Sequence, residues 1–502
     1  MTANHPLSPD HGIASRSGAG DDVDDPGSAA GMRNVVLIFI DTLRPDHLGC
    51  YGYPRATSPF LDDLAARSLV LDACYSASNF TAPAFTSVFT AAPPARHGVF
   101  NFFSCVRRSP IKECLDGAGV HTAGIVTFRF LGHLLRDVWD NIEAVTDTRS
   151  FDYSKDLARV VSDAACEWLA AGRSHQPFCL FLHYDAPHSP YRLPDRYAEL
   201  FDSVDIAQTD KRLVETFFPQ HLERLGSSAA NDSTIRGVLK TIERINYGGW
   251  RPDPATLQLL VDKYDASIRY NDDMIARVHA ELAAQGLLEN TIVAVFSDHG
   301  EEFLEHGHLS HGGAHLYEEI IRTVGIIHDP TRPEPRRCGV PFSHVQILPT
   351  LLAQAGLASL PASLARLDFG ATAARRADGG GPEPVFCVGE FKTAVRLEDL
   401  KWIRARPCRQ LSRLKRMRLW LRLLQIGEWR DEVYDLSADP GETGRPGVPR
   451  QVARALRQQL AGTGAVGEVP ASEAFGSLTS SRGLDEAERA RIEEELRRLG
   501  YM

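Results

Sequence analysis

The chain lacks the cysteine pattern of a disulfide-built or zinc-built domain. Its nine cysteines include no CxxC pair, and their number is odd. That argues against a disulfide framework or a structural zinc site and leaves the cysteines as small buried apolar residues. Long apolar runs are missing too: none approaches the ~20 residues that a membrane-spanning helix needs. The opening stretch MTANHPLSPDHGIASRSGAGDDVDDPGSAAG has no apolar centre of the kind a secretory signal carries, so the expected location is cytoplasmic. Nor is there an excess of basic charge. Against 55 Lys and Arg stand 65 Asp and Glu, for a net charge of −10, which speaks against a general nucleic-acid binder. No internal repeat is present.

What is there fits a soluble globular protein, with 43% hydrophobic and 24% charged residues. A chain of 502 residues has room for one α/β domain of ~350 residues and a smaller one. Short, wholly apolar runs alternate with amphipathic stretches. NVVLIFID, GVHTAGIVTF, PFCLFLHYD and NTIVAVFSDHG read as buried parallel strands. SPFLDDLAARS, FDYSKDLARVVSDAACEWLAAG and DPATLQLLVDKYDASIRYNDDMIARVHAELAAQG read as helices between them. This alternation is the grammar of a doubly wound sheet, whose ligands lie beyond the carboxyl ends of the strands. The expected organisation is a disordered leader over 1–33, an α/β catalytic domain over 34–380 with an insertion at 200–252, a small α+β subdomain over 381–460 and a tail with a charged helix over 461–502. The Ala/Gly-rich stretch 371–384 reads as a linker.

Three groups of residues carry possible chemistry. Asp41, Asp298 and His299 sit at strand ends, where two carboxylates and an imidazole can meet around a divalent ion. Nitrogen in the set favours Mn²⁺ or Zn²⁺ over Mg²⁺ or Ca²⁺. The same aspartates could simply cap the loops that follow. Thr81 opens TAPAFTSVFTA, a helix start with Pro83 in its first turn. A hydroxyl there meets the positive end of the helix dipole and beside a cation could act as a nucleophile, or it could be an ordinary helix cap. Finally, DHGEEFLEHGHLSHGGAHLYEE packs five histidines (His299, His306, His308, His311 and His315) into 17 residues. HYDAPHSPY adds His183, Asp185 and His188. These imidazoles could ligate metal or protonate a leaving group.

In this order, these pieces resemble the sulfatase branch of the alkaline phosphatase superfamily, from about Asn34 to Glu442. NVVLIFIDTLRPDHLGCYGY is similar to its opening strand, TAPAFTSVFTAAPPARHGV to its nucleophile helix, and FLHYDAPHSPY, VFSDHGEEFLEHG and DEVYDLSADPGET to later segments. The resemblance implies a large mostly parallel sheet between helices with a small C-terminal subdomain. It implies Asp41, Asp298, His299 and Thr81 as metal ligands, Thr81 also as nucleophile, and His188 and His311 as groups that bind the anion or protonate the leaving group. Arg129, His183 and His315 are expected at the substrate.

The departures from that pattern shape the expected activity. Sulfatases convert a Cys or Ser to formylglycine, and a threonine cannot yield that aldehyde, so no formylglycine is expected. Phe85 stands where the motif has arginine. GKWHLG is here VTFRFLG, which leaves Arg129 as its only cation. In relatives with a threonine, the hydroxyl attacks phosphorus. The expectation is a metal-dependent hydrolase that cleaves a phosphate diester, phosphonate or sulfate ester through a covalent intermediate on Thr81. The alternatives are a sulfatase that works without formylglycine, a phospho-group transferase, and a non-catalytic homologue. The expected partner is a small anionic ester. One feature stands apart: nine cations between Arg404 and Arg430, interleaved with Leu and Trp. They read either as a solvated basic helix packed on the subdomain or as a peripheral contact with an anionic membrane.

Overall fold

The structure, a computed structural model, describes residues 31–205 and 233–444 apart from gaps at 101, 107–108, 146–155, 173–175, 192, 359, 406–411 and 426, with isolated positions in 206–232 and 445–502. The leader over 1–30 and nearly all of the expected tail helix lie outside the described residues.

An eight-stranded sheet forms the centre. Its strands are β1 (Asn34–Ile40), β2 (Leu69–Leu71), β3 (His121–Val126), β4 (Asn141–Ala144), β5 (Phe178–Tyr184), β6 (Thr291–Ser297), β7 (Gly325–His328) and β8 (Arg336–Cys338), in the order β8-β2-β7-β6-β1-β5-β3-β4. Only β7 runs against the others. The middle strands β1, β5 and β6 are buried along their whole length. This is why they read as continuous apolar runs and not as alternating ones.

Helices cover both faces. On one side lie α1 (Pro59–Ala65), α3 (Leu157–Ala170) and the long α4 (Pro254–Ala284), against Val36, Ile38 and Ile40 of β1. On the other lie α2 (Thr81–Thr90) and α5 (Ile347–Ala355), against Val35, Leu37 and Phe39. Successive β1 residues thus feed opposite cores. Asp253 caps α4 by accepting from Thr256 N at 2.9 Å, and α5 stops at Gly356, whose φ of +91° is left-handed.

A second, antiparallel sheet of β9 (Val385–Val388), β10 (Thr393–Leu397), β11 (Leu400–Arg404) and β12 (Glu432–Asp435) forms the small subdomain. It docks on the approach to α2: Val388 N donates to Ala77 O at 2.8 Å, and Ser78 Oγ donates to Val388 O at 3.0 Å. The expected linker needs correction. A helix over Phe369–Ala377 occupies its first half, capped by Asp368, which accepts from Ala371 N at 3.0 Å, with Phe369 buried on the core. Alanine-rich sequence is strong helix former once one end is capped. Eight of the nine cysteines are described, and all eight are free.

Candidate active site

Register alone brings the first acidic residues together. Ile40 pairs with Ser297 on one side and Tyr184 on the other. One residue further, Asp41, Asp298 and Asp185 leave the carboxyl ends of three adjacent strands. Asp41, Asp298 and His299 each place one ligand atom within 4.8 Å of the other two, and all three are buried. The turn after Asp41 is held hard. Thr42 has a left-handed φ of +54°. Its N–H donates to Asp298 Oδ1 at 3.1 Å, and its carbonyl accepts from Tyr264 Oη on α4 at 2.8 Å. A non-glycine residue keeps such a conformation only where its surroundings fix it. Gly300 is a glycine by necessity, because a Cβ there would lie 2.0 Å from Glu319 O.

Thr81 is the first residue of α2, with Phe80 at the cap position; its side chain does not cap the helix. Its Oγ1 instead lies 3.2 Å from His299 Nε2. His299 Nδ1 lies 3.0 Å from Gly300 O, which fixes Nδ1 as the protonated nitrogen. Nε2 then faces both the threonine hydroxyl and Asp298 Oδ2, which lies 3.3 Å away. The ordinary-cap reading of Thr81 therefore does not describe this hydroxyl.

Electrostatics call for a cation. Asp41 Oδ1 and Asp298 Oδ2 are buried without a hydrogen-bond partner. Asp41 is held well above the usual carboxylate range by burial and by the nearby Asp298, Asp185 and Glu301. Burial also opposes ionisation of Asp298, but His299, His183 and the N–H groups of Thr42 and His299 outweigh it and hold that carboxyl down. Facing buried carboxylates with bare oxygens are costly unless something positive lies between them. Two carboxylates, an imidazole nitrogen and a hydroxyl make a donor set that fits a divalent metal ion.

Residues on either side of Thr81, Ser78–Phe80 and Pro83, line a cavity of about 310 Å³ together with His188–Pro190, Ser310–Gly313, Val238 and Ile242, and Glu390 and Phe391 from the subdomain. His311 lies against His299 with ring centroids 4.4 Å apart, and His188 lies 4.9 Å from His311. Burial pushes His188 down to about 4, with His311 next to it adding to the effect, and burial pushes His311 well down too. Both enter the site as neutral imidazoles.

The structure separates the other candidates. His183 lies beneath the cavity, fully buried, its Nε2 3.7 Å from Asp41 Oδ2 and its ring edge-on to Phe85 at 5.4 Å. It faces the strand-end carboxylates, and burial holds it down to about 4. Arg129 does not line this cavity. It opens a short helix and lines a separate pocket with Glu143, Asp163 and Glu167. His315 is likewise a correction: its Nδ1 pairs with Glu302 Oε2 at 2.8 Å, and its ring is stacked on His308 at 3.6 Å, outside the cavity lining. Glu302, His308 and His315 do converge. However, the two rings lie within 6° of parallel, which aims their lone pairs side by side and not at one point.

Sequence reasoning missed Glu301, Asn79 and Phe391. Glu301 stands 3.6 Å from His311 Nδ1 and is buried; the acidic pair after DHG was the available signal. Asn79 Nδ2 donates to His315 O at 3.0 Å and so ties the nucleophile segment to the histidine loop. Phe391 comes from the subdomain, and no local pattern announces it.

Comparison with known proteins places this geometry. A model of the sulfatase family matches residues 33–357. The chain is 25% identical over 364 residues to the uncharacterized sulfatase YidJ of Escherichia coli (strain K12), covering 64% of this chain and 68% of that one. It is 25% identical over 314 residues to human iduronate 2-sulfatase, covering 55% of this chain and 56% of the human protein. Among solved structures it is similar to BT4656 in complex with its substrate D-glucosamine-2-N,6-O-disulfate, with a TM-score of 0.63 at 18% identity over 86% of this chain and 97% of that one. It is also similar to the phosphonate monoester hydrolase of Agrobacterium radiobacter, with a TM-score of 0.59 at 16% identity over 86% and 94%. The matched segment carries the strand-end carboxylates, the helix that begins at Thr81 and the histidine loop, and the chain belongs to the sulfatase family of ester-bond hydrolases.

Proposed function

We propose that this protein is a metal-dependent hydrolase in which Thr81 Oγ attacks the central atom of a singly charged ester: a phosphate diester, a phosphonate monoester or a sulfate monoester. The observation that carries the reading is the Thr81 hydroxyl 3.2 Å from His299 Nε2, beside two buried carboxylates with unpartnered oxygens. Asp41, Asp298, His299 and Thr81 would hold the ion, and the imidazole favours Mn²⁺ or Zn²⁺. When bound, the ion supplies positive charge that favours the ionised hydroxyl and offsets the charge of the substrate.

The chain's own groups supply the rest. His299 orients the Thr81 hydroxyl, whose proton passes to water. His188 and His311, neutral in the free protein, line the cavity, and either can protonate the leaving oxygen after gaining a proton from water. Thr81 Oγ forms a bond to phosphorus or sulfur as the bond to the leaving alcohol breaks. Water then attacks the same atom, cleaves the bond to Thr81 and releases the acid. A second alcohol in place of water would make the reaction a transfer.

Charge supports the choice of substrate class. Among the described residues that line the cavity there is no lysine or arginine. A phosphate monoester dianion therefore finds less compensation here than a monoanion does. Sulfate esters stay in view because both sulfatases and phosphonate monoester hydrolases are among the similar proteins.

The test is turnover by metal-reconstituted protein on matched p-nitrophenyl esters (sulfate, phosphate, phosphodiester and phosphonate), with Thr81→Ala alongside. The expected result is diester, phosphonate or sulfate turnover that falls at least about a thousandfold in the variant. Activity that survives Thr81→Ala would remove the threonine from the mechanism. A preference for the phosphate monoester would overturn the charge argument.

A further inference from the structure

The basic segment resolves into a helix with an unusual surface. Helix α6 (Arg413–Gln425) carries five cations and no acidic residue, in a chain whose net charge is −10. Leu423 is its buried anchor. Leu414, Met417, Trp420, Leu421 and Leu424 are 54%, 54%, 37%, 51% and 45% exposed. At about 100° per residue these five share one sector roughly 120° wide, which Arg413 also enters, and its centre lies about 120° from Leu423. Arg418, Arg422 and Lys415 flank one edge of it, all exposed. A scattered exposed leucine needs no explanation; five exposed apolar side chains gathered in one sector among cations do.

The helix also has a defined position. Lys415 Nζ is ion-paired with Glu390, which lines the catalytic cavity. Arg422 lies 5.9 Å from the ring centre of Tyr247, which is itself 43% exposed and borders Gly313 of the cavity lining. The helix thus stands beside the cavity lining, with Lys415 and Arg422 on the side that meets it. Just past the helix, Trp429 is 44% exposed. Aromatic and aliphatic side chains among cations are what a helix lying in a lipid headgroup layer presents, and aromatic rings with a polar edge settle at that boundary.

We propose that α6 docks this protein on an anionic lipid surface and so brings the mouth of the cavity to the headgroup layer. The occupant follows from charge: the sector is apolar save for Arg413, cations flank it, and the rest of the chain is acidic enough to be repelled from such a surface without them. No helix among the described residues is long and apolar enough to cross a membrane, so the contact is peripheral. The role of the cavity mouth rests on the proposed function; the docking itself does not.

The experiment is co-sedimentation of the full chain with vesicles of phosphatidylcholine alone and of phosphatidylcholine with a quarter phosphatidylglycerol. It is run at low and high salt, beside the quadruple variant Leu414→Ser, Met417→Ser, Leu421→Ser and Leu424→Ser. The charge variant Lys415→Gln, Arg418→Gln and Arg422→Gln completes the set. These side chains are exposed, and unchanged circular dichroism checks that both variants fold. Expected is binding to the anionic vesicles that drops at least tenfold in each variant and weakens with salt, with little binding to phosphatidylcholine. Failure to bind anionic vesicles, or equal binding by both variants, overturns the proposal. So does a concentration-dependent dimer that the apolar variant abolishes, since a second copy would then cover the sector. Turnover plays no part in this readout, so an inactive protein that binds vesicles fails the functional reading alone.

Discussion

The pairing of His315 with Glu302 makes a quantitative prediction that separates a strut from a substrate contact. Burial lowers the affinity of this imidazole for a proton, but the 2.8 Å bond to Glu302 and the nearby Glu428 outweigh it and push His315 up to about 9, from an ordinary value of 6.5. At about 1.36 kcal/mol per unit, the whole shift is worth about 3 kcal/mol. The Glu428 oxygen is 3.8 Å away, an electrostatic neighbour and not a hydrogen-bond partner, which lowers the working figure to about 2 kcal/mol. Because the folded value lies above the unfolded one, this stability is fully present below about pH 6.5 and is lost as pH rises through about 9. His315→Gln removes the charge and keeps a donor for Glu302. Urea unfolding should show the variant weaker by about 2 kcal/mol near pH 6, with the gap closing near pH 10. Turnover of folded variant should keep its KM. A stability gap independent of pH would refute the charged pair, and a raised KM with unchanged stability would return His315 to the substrate.

Three further outcomes follow from the site. Manganese at a hundred times its Kd should stabilise the wild type by about 2.7 kcal/mol, read by thermal shift against a chelated control; Asp41→Asn should lose most of that gain. Phe85→Ala should cost about 3–5 kcal/mol in urea unfolding, because the ring is fully buried among Phe39, Phe181 and His183. Arg129→Ala should leave kcat/KM for the preferred ester within about twofold, an effect below about 0.4 kcal/mol, since Arg129 lines a different pocket; a hundredfold loss would put it back at the substrate.

The sheet, and the meeting of Asp41, Asp298 and His299 at its strand ends, were legible because both are written locally. A strand buried on two faces is a continuous apolar run, and its last residue is the one that reaches the ligand side, so NVVLIFID and VFSDHG announce Asp41 and Asp298 without any knowledge of the partner strand. Thr81 was legible for a related reason: Pro83 marks the helix start. The residues that sequence reading misplaced depend on contacts made far along the chain. Whether His308, His311 or His315 faces the cavity is decided by a two-strand ladder that pairs Leu309 and Ser310 with Phe303 and Glu302. The left-handed Ser310 and the glycines after it then turn His311 in and leave His315 on Glu302. Phe391 enters from a subdomain whose docking rests on single contacts such as Val388 N to Ala77 O. The alanine-rich helix near residue 371 looked like a linker because its cap, Asp368, and its buried Phe369 lie just outside the window that carries the compositional signal.

The departures from the sulfatase pattern argue for a rebuilt site and not for a decayed one. A site that had lost its function would keep the old cavity and accumulate unrelated losses. Here the losses interlock. Phe85, in the place of the motif's arginine, packs on Phe39 at 5.0 Å, on Phe181 at 5.7 Å and edge-on to His183 at 5.4 Å. The segment in place of the GKWHLG cations supplies Phe128, 6.0 Å from the same His183, and Phe130, which packs on Phe102 at 4.4 Å. Together they build one aromatic wall behind the metal ligands, and burial keeps His183 neutral there. On the reading proposed for Thr81, a wall without cations offers no place for the charge of an aldehyde hydrate. The surviving positive charge would then come from the metal ion, held by Asp41, Asp298 and His299 next to the Thr81 hydroxyl. A hydroxyl nucleophile with one strong electrophilic partner and neutral imidazoles across the cavity suits an ester that brings a single negative charge. The substitutions that take this chain away from the formylglycine enzymes are thus the same ones that fit it to the reaction proposed for Thr81.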